Sequence, residues 1–140
     1  MADPRVDAET AGLALMELAE AFGADDASAL LPIAMDGRVY LEKGRAVFKL
    51  RKPIELQNGT TVTHFSMREP SAADFLAYSK GMTVSVGRDG TTEIDMVMMG
   101  KRTLRAVAAL ADEPIGVVER IGRRDLDDLT KIGDALGFFD

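Results

Sequence analysis

At 140 residues the chain is long enough to bury a core without staples and short enough that one domain is expected. It has no cysteine, which excludes disulfides, thiolate nucleophiles and thiolate zinc sites, and makes the cytoplasm the default compartment. A formal net charge of -6 repels phosphate backbones, and no run of eighteen apolar residues is present, so neither nucleic acid nor a membrane is an expected partner.

The acidic start, MADPRVDAET, lacks the basic region and apolar core of a secretory signal. Asp7 to Phe22 reads as a helix, because Ala11, Leu15, Leu18 and Phe22 recur at 3.6-residue spacing; Gly23 is placed to end it. A short apolar piece from Ala27 to Ile33 follows, interrupted by Pro32. Asp36-Gly37 marks a turn, Arg38 to Leu41 a short strand, and Lys43-Gly44 a second turn.

From Val47 the alternation changes. Phe48, Leu50, Ile54 and Leu56 all fall at even positions, as one buried face of a strand requires. Pro53 lacks a backbone donor and makes this an edge or bulged strand. Asn58-Gly59 is a strong hairpin signal, and Thr61 to Met67 is the return strand. Val47 to Met67 is therefore a β-hairpin, extended to a meander if the strand at Val39 joins it.

Helical signals dominate the remainder. Ser71 and Asp74, after Pro70, form a capping box for a helix carrying Phe75, Leu76 and Tyr78. Gly81 to Thr92 is either a second small hairpin turning at Asp89-Gly90 or a loop. Glu93 to Ala111 is the longest helix, with Val97, Gly100, Leu104, Val107 and Ala111 as its inner stripe. Asp112-Glu113-Pro114 breaks it, and Pro114 suits the first turn of a short helix, Ile115 to Ile121. Asp125 is placed to cap a final helix that buries Leu126, Leu129, Ile132 and Leu136. The fold class is α+β: a hairpin or small meander, a helical C-terminal half (46–140), and an N-terminal helical extension (1–45).

Candidate catalytic groups are sparse. His64, the single histidine, sits mid-strand without a second metal-ligating or catalytic partner at useful spacing. Asp125, Asp127 and Asp128 lack the glycine and closing glutamate of a calcium loop, and read as helix-start acids; they also offset Arg120, Arg123 and Arg124. Gly87-Arg88-Asp89-Gly90 lacks the lysine and hydroxyl of a phosphate loop. No enzyme, metal or cofactor is expected. Two apolar features point to a partner surface instead: Met96, Met98 and Met99, because polarisable methionines adapt to imperfect partners, and Phe138-Phe139 at the chain end. For each, core filling or a tail docked on the core is the competing reading.

The order of these pieces is distinctive. FKLRKPIEL leads to an Asn-Gly turn and then VTHFSMREPSAADFL; the helical half closes with DLDDL and GFF. This resembles the tail assembly chaperones of Mu-like and related long-tailed bacteriophages, at Leu50, Pro53, Ile54, Met67, Arg68, Pro70, Ser71, Asp74, Leu126 and Phe138. The resemblance covers about the last two-thirds of the chain and leaves residues 1–45 outside it. It implies a transient, non-enzymatic factor in the cytoplasm of a bacterial host, which holds the tape-measure protein before the tail tube polymerises. Tail tube protein and a second copy of the chain are further implied partners. A virion-associated minor tail or head-tail joining protein, and a bacterial adaptor or antitoxin-like module, are the alternatives. Within the resemblance Pro53, Arg68, Pro70, Ser71 and Asp74 mark a structural junction, where Arg68 is expected to pair with a carboxylate or with helix-end carbonyls.

Overall fold

A computed structural model describes residues 7–79, 84–86, 92–94 and 96–139, with side chains for 7–78 and 100–139. The architecture is α+β, with a three-stranded antiparallel sheet and a majority of helix.

Helix α1 (Ala8–Phe22) begins at Asp7, whose carboxylate accepts the Thr10 N–H, and ends at Gly23 in the left-handed conformation. A 3-10 turn (Ser28–Leu30) runs into α2 (Leu31–Met35), where Pro32 sits in the first turn and loses no helical hydrogen bond. The meander is β1 (Val39–Glu42), β2 (Arg45–Glu55) and β3 (Thr61–Met67), in the order β1-β2-β3. Lys43 and Gly44 both take positive φ in the first turn. Val39, Phe48 and Phe65 stand opposite one another across the three strands, and all are buried.

The alternation of β2 survives a large irregularity. Lys49 pairs with His64, but Ile54 pairs with Val62, so four residues of β2 (50–53) oppose one of β3 (63). This is the bulge that Pro53 predicts. β1 is too short to cover this part of β2, because its pairing ends at Phe48.

Helix α3 (Ala72–Ser79) follows the capping box: Asp74 N–H donates to Ser71 Oγ, and Asp74 Oδ2 accepts from Ser71 N–H. Strand β4 (Val84–Val86) pairs antiparallel with β5 (Thr92–Ile94), in line with the hairpin alternative; the predicted turn at Asp89-Gly90 lies outside the described residues, and Glu93 and Ile94 belong to β5 rather than to the predicted long helix. Helix α4 (Met96–Leu110) buries Thr103, Ala106, Val107 and Leu110, rotated from the predicted stripe, since Gly100 and Leu104 are only half-buried. Pro114 caps the short α5 (Ile115–Val118) rather than entering its first turn. Helix α6 (Arg123–Leu136) starts from Gly122, so Asp125 is not its cap.

One core runs through all of this. Ala11, Leu15 and Leu18 of α1 belong to the same buried cluster as Phe48, Val107 and Ile132, and α1 lies against β1 and α6. A boundary at residue 45 falls just past the turn between β1 and β2, so the 1–45 segment supplies one strand and part of the core. His64 is exposed and shares a hydrogen bond with Thr63.

Candidate functional site

The polar residues singled out by the sequence form structural clamps. Arg68 makes a two-pronged ion pair with Asp74 at 2.5 and 3.0 Å, and it also donates to the Ala109 carbonyl. Both expected kinds of partner are thus present. The Arg68 N–H and the Arg45 guanidinium donate to the Leu110 carbonyl. Helix α4 has no basic residue in its own last turn, so two arginines from the sheet cap it in trans. The Arg68 guanidinium, with help from the Ser71 N–H, holds the Asp74 carboxyl far below the usual range.

Asp125 and Asp128 face the sheet. The Asp125 carboxylate is 1% exposed and accepts the N–H groups of Arg51 and Lys52 at 3.0 and 3.3 Å. These are the donors that the bulge leaves without a strand partner. Asp128 pairs with Arg38 at 2.9 Å and Arg51 at 3.2 Å. The first turn of α6 thereby substitutes for the missing length of β1. Among the described residues no group of three His, Asp or Glu side chains converges to hold a metal.

The terminal phenylalanines do not present apolar surface, which corrects the expectation that Phe138 and Phe139 bind a partner. Both are buried. Gly137, at positive φ, turns the chain back over α6. Phe138 meets Phe22 edge-on at 5.3 Å, and Phe139 meets Tyr78 at 6.5 Å. Arg102 lies against the rings of both Phe75 and Phe139, and donates to the Phe139 carbonyl; the Tyr78 hydroxyl donates to the Phe138 carbonyl. The competing reading, a docked tail, holds. Met96, Met98 and Met99 fall in the first turn of α4, and their side chains lie outside the described ones.

Apolar surface is exposed elsewhere, on the segment the resemblance does not cover. Leu13 (54% exposed) and Met16 (68%) on α1 and Leu31 (40%) on α2 line an open groove of about 540 Å³. Gly12, Ala19 and Ala27 contribute to it, and Glu9, Asp25 and Asp26 also line it. A smaller groove, about 430 Å³, lies between Phe22, Pro70, Phe75 and Leu136, beside the exposed Leu76. The signal for the larger groove was present in the sequence: Leu13 and Met16 are large apolar residues off the inner stripe of their own helix.

No family model, curated protein or solved structure gives a significant match to the chain.

Proposed function

We propose that this chain is a non-enzymatic protein-binding module that acts as a tail assembly chaperone, holding the tape-measure protein in the cytoplasm of a bacterial host until the tail tube forms. The observation that carries the reading is the open apolar groove of Leu13, Met16 and Leu31. A water-facing patch of this kind marks a partner site.

The physical logic is that of a holder. A tape-measure protein is long and largely helical, and its apolar stripes aggregate when bare. A small acidic protein that lends apolar surface covers one stretch, and its charge keeps the complex dispersed. Many copies along one chain need only weak individual contacts, on the order of micromolar, about -8 kcal/mol each. The proline-bearing strand β2, the Arg68-Pro70 junction and the acidic-leucine segment DLDDL of α6 are the features that carry the resemblance, and they support the reading.

Co-expression tests it. Co-expressed with a tape-measure protein of a long-tailed phage, the full chain should keep that protein soluble and co-purify with it, and purified virions should lack the chain. A tape-measure protein that stays insoluble would refute the holder role, and finding the chain in intact particles would favour a structural tail component.

A further inference from the structure

The groove on α1 also carries information about its occupant. It extends from Ala8 to Ala19, a span of about 16 Å at 1.5 Å per residue. That is three turns, more than the two over which a second helix places anchors at i, i+3 or i+4, and i+7. Small residues, Ala8, Gly12, Ala19 and Ala27, line it together with Leu15. Gly12 has no internal reason to be glycine, because a Cβ built there meets nothing within 4 Å. Glycine inside a helix costs about 1 kcal/mol relative to alanine. Its open position lets another backbone come close.

The lining is charged in one sense. Glu9, Asp25 and Asp26 border the apolar surface, and no base lines it among the described residues. The Ser28 N–H donates to the Asp26 carboxylate and holds its carboxyl below the usual range, so the charge is present at neutral pH. A second copy docking face to face would bring this acidic rim against itself, in a chain that already carries -6.

We propose that the α1–α2 groove seats an amphipathic helix whose apolar stripe is flanked by lysine or arginine. This rests on the reading of the chain as a holder of helical segments, and it puts the seat in the N-terminal segment.

The experiment uses the full chain and two fluorescein-labelled 18-residue helical peptides with the same leucine-alanine stripe, one flanked by lysines and the other by glutamates. By fluorescence anisotropy at low salt the lysine peptide should bind at least tenfold tighter. Met16→Asp should weaken it tenfold or more, as should Gly12→Gln, which fills the groove from an open position on the helix. Leu76→Asp, in the other groove, should leave it unchanged, and circular dichroism should show every variant folded. Equal affinity for both peptides, no binding of either, or sensitivity to Leu76→Asp alone overturns the proposal. So does a dimer of the free chain that Met16→Asp dissolves, because the occupant is then a second copy. The two readings fail separately. Co-purification of the tape-measure protein without peptide binding removes this seat alone, and peptide binding without co-purification removes the chaperone role alone.

Discussion

Replacing Asp125 by alanine tests whether the first turn of α6 completes the sheet. Its carboxylate serves two backbone donors, Arg51 N–H and Lys52 N–H, in the bulged part of β2 that β1 does not reach. Leaving a buried donor unpaired costs about 1–3 kcal/mol. These two are only partly buried, so water recovers some of that, and removing a buried carboxylate also relieves its desolvation. About 1 kcal/mol per donor is the reasonable share, with roughly 0.5 kcal/mol more for a lost negative charge at a helix start. The expected loss is therefore about 2–3 kcal/mol, or roughly 6–12 °C in melting temperature for a chain of this size. Urea unfolding followed by circular dichroism measures it, and an unchanged m value confirms that the folded state keeps its extent. Asp127→Ala is the control: Asp127 is exposed two residues further along the helix, so it reports the loss of a nearby negative charge without the two backbone donors. Asp125→Asn sharpens the test. Asparagine serves well where a helix cap needs one acceptor, but here its amide nitrogen would face a second donor, so it should recover less than half of the loss. A loss under about 0.5 kcal/mol for Asp125→Ala, no larger than that of Asp127→Ala, would refute the clamp.

Arg68→Ala should cost about 1–2 kcal/mol at pH 7, since it removes the paired contact to Asp74 and one cap of α4. The Asp74 carboxyl is depressed in the folded state, so its contribution is complete above the unfolded carboxyl value near 3.8 and is lost as pH falls below it. The difference between wild type and Arg68→Ala in urea unfolding should accordingly shrink below about pH 4; a difference that grows there would contradict the pairing. Gly133→Ala would place a Cβ 2.3 Å from the Phe139 ring, so it should destabilise by about 1–2 kcal/mol despite the helix preference of alanine. In a Phe139→Ala background the same change should turn stabilising, by up to about 1 kcal/mol, and the absence of that sign reversal would show that the tail is not seated on α6.

The parts of the fold that were legible in the sequence are those set by short-range chemistry. The even-numbered apolar run Phe48, Leu50, Ile54 fixes the buried face of β2; Pro53 forces the bulge; Asn58-Gly59 turns the hairpin, with Gly59 at positive φ; and Ser71 with Asp74 starts α3. What escaped depends on contacts distant in the chain. Asp125 sits where a helix-start acid belongs, and only the 74-residue contact to Arg51 N–H shows that it serves the sheet. Two aromatics at a chain end look free unless the fold-back at Gly137 and the ring seat over Gly133 are taken together.

The exposure of Leu13 and Met16 follows from a limit on what one helix can bury. Ala11, Leu15 and Leu18 face the sheet and α6, and this stripe is enough to anchor α1. Leu13 and Met16 lie outside it, and nothing in the stability of the fold requires them to be apolar. Solvent-facing positions on a helix are served as well by glutamate or lysine, and the neighbouring Glu17 and Glu20 show that choice. Single exposed apolar residues are ordinary, but Leu13, Met16 and Leu31 share one groove with a mid-helix glycine whose cost the packing does not return. The helical glycine costs the isolated chain about 1 kcal/mol, and the proposed occupant would gain both from its open backbone and from the exposed apolar side chains. The C-terminal aromatics run the other way: Phe138 and Phe139 are used up in closing the core over α6. Among the described residues, three of the five exposed large apolar side chains, Leu13, Met16 and Leu31, share one groove, while Leu76 and Ile115 stand apart from it, so variants in that groove should separate binding from folding.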